Sequence, residues 1–300
     1  MSDSSTPPPS RALVIAAFAT IYLVWGSTYL GIAIAIETLP PLLMAGVRFL
    51  VAGIVLYSAA RLTGAPRPEP RMWRSALLLG ALFLFCGNGG VVWAEQRVAS
   101  GLAAVLVATM PLWTVVIERL RGAPTPPPAT IVGLLAGLAG VALLLAPGGG
   151  SVDLLGAAVL TLASISWAYA SIISKGQPLP TSGALSSGMQ MLAGGACLTL
   201  GGLLSGEASH LAASVPSARS LLALLYLIVF GSLLGFTAFT WLLQVSTPGR
   251  VATYAYVNPV VAVTLGWAVA GEPFGLRHLA ASAVIIGGVA LITATRRRPR

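Results

Sequence analysis

Charge is what this sequence has least of. Only 8% of its 300 residues are charged, and 56% are hydrophobic. A soluble domain carries roughly 25% charged residues, so a soluble globular fold is excluded. Cysteine and histidine are nearly absent. Cys86 and Cys197 both lie inside apolar runs, no Cys-x-x-Cys occurs, and with His210 and His278 they make no metal-ligand spacing. No Gly-x-x-x-x-Gly-Lys loop is present to hold nucleotide phosphates. No base stands within the apolar runs to activate a serine. Neither an ATPase nor an enzyme is expected, and no cofactor or metal. Acids are missing from mid-run positions: Glu37, Glu95, Glu118, Asp153 and Glu272 all stand at run ends. That removes the usual buried carboxylate for proton or sodium coupling and favours movement that is not obligatorily coupled.

What is present is apolar run after apolar run, each near the 20 residues that one helical crossing needs. The alternation of a membrane β-barrel does not appear. Ten spans are expected: 12–36, 41–60, 75–94, 99–118, 130–146, 154–174, 183–204, 220–243, 251–270 and 277–295. The first run is longer than the roughly 7–15 apolar residues of a signal peptide and is taken as part of the fold. The net charge of +9 sits in breaks and tails, so nucleic acid is not an expected partner. With the N-terminus in the cytoplasm, Arg11, Arg61, Arg67, Arg71, Arg74, Arg119, Arg121, Lys175, Arg250 and the four arginines of 296–300 fall inside. Only Arg97, Arg219 and Arg277 fall outside. The excess of inner Lys and Arg orients the chain with both termini cytoplasmic. The tail Arg296-Arg297-Arg298 is placed against anionic lipid.

The chain repeats itself. A shift of 148 residues lays Gly87 on Gly235, Trp93 on Trp241, Gln96 on Gln244, Gly101 on Gly249, Pro111 on Pro259 and Gly140 on Gly288. A shift of 142 lays Trp25 on Trp167, Gly46 on Gly188, Arg48 on Gln190 and Gly53 on Gly195. The six-residue difference falls in the break around 205–219. Five spans per copy is an odd number, so the second copy enters from the opposite side, giving two inverted five-helix repeats. Secondary transporters are commonly built so, with the substrate at the midplane between the halves. The expected fold is therefore all-α and polytopic. A disordered tail covers 1–11, the repeats 12–148 and 152–295, and a basic tail 296–300.

Several residues stand out against this apolar background. Pro259 lies about 14 Å into its span, at 1.5 Å per residue, and would kink it while freeing the carbonyl of Ala255. Pro111 would do the same for Val107. Tyr254 and Asn258 share one helical face, and an amide at that depth should turn into the bundle. Trp73, Trp93, Trp241 and Trp267 suit interfacial belts. Trp25, Trp113 and Trp167 are mid-span, with Tyr29 one turn from Trp25; cavity wall and helix packing both remain open for them. Asn88 sits among glycines, as a gate or a packing contact. Arg48 is the only charge well inside a span. It could bind a carboxylate, pair with Glu37 or Glu95, or snorkel to the headgroups; its counterpart Gln190 suggests that both positions face inward. Gly133-x-x-x-Gly137 reads as close packing within one chain.

Trp25-Gly26-Ser27-Thr28-Tyr29 resembles the opening signature of the EamA family of drug/metabolite transporters. So does Gly101-Leu102-Ala103-Ala104 leading to Met110-Pro111. The run from Tyr254 to Val260, followed by Gly271-Glu272, resembles the family's second-half signature. The resemblance covers roughly 12–293. It implies a ten-helix carrier in the bacterial inner membrane that exports amino acids, some aromatic, and related metabolites. The family's usual Glu-Pro or Gln-Pro pair is Asn258-Pro259 and Met110-Pro111 here, which speaks against coupling through an acid at those positions. The expected substrate cavity is lined by Trp25, Tyr29, Arg48, Asn88, Met110, Trp113, Trp167, Gln190, Tyr254 and Asn258, with helix kinks at Pro111 and Pro259. Partners are a small-molecule solute and membrane lipid, and the chain is expected as a monomer. A multidrug carrier, a lipid or quinone flippase, a channel, or a membrane-embedded enzyme remain as alternatives.

Overall fold

The computed structural model describes residues 10–98, 103, 106–145, 153–209, 215–270 and 275–294. Every regular element among the described residues is helical. They are α1 (Arg11–Ala35), α2 (Pro41–Leu62), α3 (Pro70–Ala94), α4 (Met110–Leu120), α5 (Pro128–Leu145), α6 (Leu154–Ile173), α7 (Gly183–Leu204), α8 (Ala218–Val245), α9 (Tyr254–Ala270) and α10 (Leu276–Ala294). By length and composition, α1, α2, α3, α6, α7, α8 and α10 are the seven long and apolar enough to cross a membrane. The motif residues Gly101, Leu102, Ala104, Gly271 and Glu272, residues 1–9, the basic tail 296–300, and His210 lie outside the described residues; Ser10 and Arg11, expected in a disordered tail, are instead the cap and first residue of α1.

The helices start where local chemistry tells them to. Ser10, Asp153, Ser182 and Ser217 each accept a backbone N–H of the first turn at 2.8–3.3 Å, which satisfies donors that the helix itself leaves open. Prolines open α2, α3 and α5, where a missing N–H costs nothing. α2 has no side-chain cap of its own. Instead both carboxylate oxygens of Glu207, from the break after α7, accept from Leu42 N (3.1 Å) and Leu43 N (2.9 Å). Large side chains such as Leu23, Leu62, Leu162 and Leu276 are exposed. A helix bundle surrounded by hydrocarbon can present such a surface, because its backbone groups are satisfied within each helix.

Two glycine seams set how helices meet. A β-carbon on Gly53 would lie 2.8 Å from Leu192 N, and one on Gly188 would lie 2.8 Å from Tyr57 N. One on Gly195 would lie 2.9 Å from Leu50 N. Rising numbers on α2 meet falling numbers on α7, so the pair is antiparallel, and the four glycines Gly46, Gly53, Gly188 and Gly195 are the ones that the 142-residue shift relates. α5 and α10 repeat the arrangement: a β-carbon on Gly133 would lie 2.7 Å from Gly288 O, and one on Gly288 would lie 2.7 Å from Gly133 O. The Gly133 face is thus used inside the chain, against α10. Gly53→Val should destabilise the bundle by about 1–3 kcal/mol through overpacking. Gly183→Val, where a side chain meets open space, should be near neutral. Thermal unfolding in detergent compares the two.

The two prolines behave differently. Pro259 stands inside α9 as expected. Pro111 does not kink a helix. A turn at Ala108 and Thr109 ends the preceding helical residues, and α4 restarts at Met110 with Pro111 in its first turn. There the missing N–H is one that a helix start leaves unpaired in any case. The expected ninth span is also broken: a short helix at Pro248–Val251 is followed by a turn at Ala252 and Thr253 before α9 begins. Both thiols are free.

Candidate functional site

Two stretches of this bundle depart from α geometry. Ala81–Gly89 of α3 and Leu227–Phe236 of α8 are π-helical, and the 148-residue shift superimposes them almost in register. π-Helical turns concentrate at functional sites. Each carries a glycine on which a tryptophan of the other half sits. A β-carbon on Gly235 would lie 2.5 Å from Trp25 Nε1, and one on Gly87 would lie 2.6 Å from Trp167 Cε3. Trp25 and Trp167 are themselves repeat partners, as are Gly87 and Gly235. One contact is therefore built twice. Its two copies differ in one bond. Trp25 Nε1 donates to Gly231 O at 3.0 Å, whereas Trp167 Nε1 is buried without a partner among the described residues.

A cavity of about 100 Å³ lies where these elements converge. Eight of the ten residues singled out from sequence line it: Trp25, Tyr29, Arg48, Asn88, Met110, Trp167, Tyr254 and Asn258. Two do not. Trp113 lies one turn further along α4; its indole N–H donates to Thr109 Oγ1 at 3.1 Å, and its ring packs against the main buried core without lining the cavity. Gln190 is buried but lines a separate chamber of about 390 Å³ at the α6–α7 end, together with Phe83, Gln177, Thr240 and Gln244. Its Nε2 donates to Ser186 O (3.3 Å) and Ser186 Oγ (3.2 Å), while its Oε1 has no partner among the described residues.

Arg48 settles into the bundle rather than snorkelling out of it. It is 4% exposed, its Nε donates to Ser232 Oγ at 2.8 Å, and its guanidinium lies 4.8 Å from the Phe49 ring centre. Gly231 leaves room for it, since a β-carbon there would come within 2.5 Å of Nη2. No carboxylate pairs with it among the described residues; Glu37 meets Arg219 at 3.6 Å and Arg97 meets Asp153 at 3.9 Å. Asn258 is 2% exposed. With its amide nitrogen assigned to the side facing two carbonyls, it donates to Tyr22 O (3.2 Å) and Tyr254 O (3.0 Å), tying α1 to α9 beside Pro259. Tyr254 OH points at Met110 Sδ, 3.5 Å away.

Between the cavity and the α6–α7 chamber stands a layer of rings. Phe83 packs against Trp167 (5.1 Å between ring centres), Phe239 (5.4 Å) and Phe236 (6.0 Å), and Trp25 packs against Phe239 (5.1 Å) and Tyr254 (4.8 Å). Such edge-to-face contacts add about 0.5–1.5 kcal/mol each beyond burial. A further chamber of about 300 Å³ at the α1–α2 end is lined by 36–41, Gln96 and Glu207. The repeat carries Glu37–Pro41 onto Leu179–Gly183 and Gln96 onto Gln244, so the two end chambers are built from equivalent positions.

Glu95 follows the last residue of α3. Burial pushes its carboxyl from an ordinary 4.5 up to about 7. The folded chain therefore holds this proton more tightly than the unfolded chain. Below pH 4.5 both states are protonated and nothing is lost. As pH rises from 4.5 through 7 the unfolded state ionises first, and stability falls. A melting-temperature profile should decline across that window, and less steeply in Glu95→Gln.

Comparison with known proteins decides what this architecture belongs to. The family model described as "EamA-like transporter family" matches residues 12–146 and again 154–294. The inner membrane transporter YedA of Escherichia coli K12 is 41% identical over 278 residues, covering 92% of this chain and 89% of YedA. The chain belongs to the EamA-like transporter family. The transporter YvbV of Bacillus subtilis is 27% identical over 95% of this chain and 92% of its own length. A solved crystal structure at 21% identity, spanning 97% of this chain and all of the other, superimposes with a TM-score of 0.78 and so shares the fold.

Within this EamA-like chain several wall residues escaped the sequence reading. Thr28, Ser164, Gly231 and Phe236 line the cavity, and Ser232 positions Arg48. Phe83, Phe236 and Phe239 form the ring layer yet sit in featureless apolar runs. Only Thr28, inside the Trp25–Tyr29 signature, carried a signal. The others would have required knowing where the π-helical segments turn the helix.

Proposed function

We propose that this EamA-like protein is a secondary transporter that carries amino acids, including apolar and aromatic ones, and related small metabolites across the bacterial inner membrane by alternating access. The observation that carries the reading is the doubled Trp–Gly contact around one cavity: Trp25 on Gly235 and Trp167 on Gly87. Each couples one half of the chain to the other at equivalent positions. Residues 12–148 and 152–295 act as inverted five-helix repeats, ten crossings in all. Antiparallel packing of the repeat-equivalent α2 and α7, and of α5 and α10, supports that arrangement, since parallel repeats would set equivalent helices side by side in one direction. Both termini lie in the cytoplasm and the α1–α2 end faces outward, in keeping with the distribution of Lys and Arg. The mostly apolar and aromatic wall with a few polar groups suits small amphipathic solutes. Names of relatives add support for transport in the inner membrane.

The test is uptake of a panel of radiolabelled amino acids into liposomes holding only the purified protein, with no ion gradient. Saturable uptake of some members, competed by others, is the expected result. No uptake of any member, by folded protein, with or without an imposed proton or sodium gradient, would remove the amino-acid reading.

A further inference from the structure

Three groups on the cavity wall have unused hydrogen-bonding capacity. The guanidinium of Arg48 spends only Nε, on Ser232 Oγ at 2.8 Å. Its two terminal nitrogens have no protein acceptor and no carboxylate among the described residues. The side-chain oxygen of Asn88 and the indole N–H of Trp167 are buried and without a partner there. All three residues line the same cavity. A lone buried charge and orphaned polar atoms are each costly, and native proteins rarely keep them unless something else supplies the partner. Here the deficits match in kind: a cation with two free terminal nitrogens, a further N–H donor and an acceptor.

We infer that Arg48 anchors a carboxylate on the carried solute, with Trp167 Nε1 and Asn88 bonding the polar atoms next to it. The planar fork of a guanidinium suits a carboxylate, which can accept one N–H from each of the two free terminal nitrogens at once. Ser232 fixes Nε and so aims that fork. Gly231 keeps the wall behind it bare. Asn88 then faces a donor on the solute, such as an α-ammonium or α-hydroxyl group. The inference rests on the reading of this cavity as the solute site. It narrows that reading to anions and zwitterions and disfavours cationic amphiphiles.

The test uses intrinsic fluorescence of the purified protein in detergent, since Trp25 and Trp167 border the cavity. Three probes of one skeleton are titrated: leucine, leucinamide and 4-methylpentanoate. Leucine should bind at least about tenfold tighter than leucinamide, the equivalent of about 1.4 kcal/mol. Arg48→Gln should abolish that preference and Arg48→Lys should keep part of it. Asn88→Ala should weaken leucine but not 4-methylpentanoate, which lacks the amino group. Melting temperatures establish that each variant folds, and Ser232→Ala offers a milder displacement of the same guanidinium. Equal binding of leucine and leucinamide by the wild type would overturn the inference, as would an undiminished preference in Arg48→Gln. If no carboxylate binds while neutral solutes cross liposome membranes, Arg48 is not the anchor although the transporter reading stands. If carboxylates bind selectively and nothing crosses, the anchor stands and the transporter reading falls.

Discussion

Asn258→Asp should lose at least about tenfold in transport, and more than Asn258→Ala loses. The amide nitrogen of Asn258 faces two backbone carbonyls, Tyr22 O at 3.2 Å and Tyr254 O at 3.0 Å. An ionised aspartate has no donor, so it would set a negative oxygen against both. Alanine leaves them unpaired without repulsion. Leaving a buried polar group unmet costs about 1–3 kcal/mol, and more when a charge is involved, and 1.4 kcal/mol is a factor of ten. A protonated aspartate recovers one donor, so the deficit should grow as pH rises. Rates in proteoliposomes, with melting temperatures of the three proteins, decide the matter. Wild-type rates in Asn258→Asp would mean that donation to Tyr22 O and Tyr254 O is not needed for transport.

A single methyl group should have a comparable effect at Gly87. Its β-carbon would stand 2.6 Å from Trp167 Cε3, too close for any non-bonded pair, so the indole must leave its seat or the π-helical turn must open. Strain of this sort costs about 1–3 kcal/mol. It falls on a ring that touches the cavity, Phe83, Trp25 and Phe239. Transport by Gly87→Ala should drop about tenfold or more, with a shift in tryptophan emission. Gly176→Ala and Gly249→Ala, where the methyl meets open space, should transport normally. Unchanged transport in Gly87→Ala would show that the Trp167 seat is not part of the cycle.

The sequence revealed the bundle because its physics is local. Span length and hydrophobicity need no tertiary context, and the matched tryptophans, glycines and prolines betray the duplication directly. Polar residues deep in apolar runs were legible for the same reason: Arg48, Asn88 and Asn258 are expensive there, and the structure brings all three to the cavity wall. What stayed hidden depends on backbone irregularity. Pro111 looks like a helix-interior proline until a turn at Ala108 and Thr109 places it in a first turn. Gln190 looks like a partner of Arg48 in one cavity until the ring layer around Phe83 assigns them to different chambers. The cap that Glu207 places on α2 spans more than 160 residues of chain, and no local pattern announces it.

The π-helical turns carry a mechanical consequence. α3 faces the α6–α7 chamber through Phe83 and the central cavity through Gly87, Asn88 and Val91, and its π segment runs through both. A π turn holds one residue more per hydrogen-bonded ring than an α turn. If it relaxed to α geometry, the half of the helix beyond it would rotate by about 100°, one residue's step. Asn88 and Val91 would swing away while Phe83 kept its place. α8 is geared in the same way, with Gly231 and Phe236 on one side and Thr240 and Gln244 on the other. In both helices, then, a change of register at the π segment would turn the residues lining one space relative to those lining the other, with no hinge loop required.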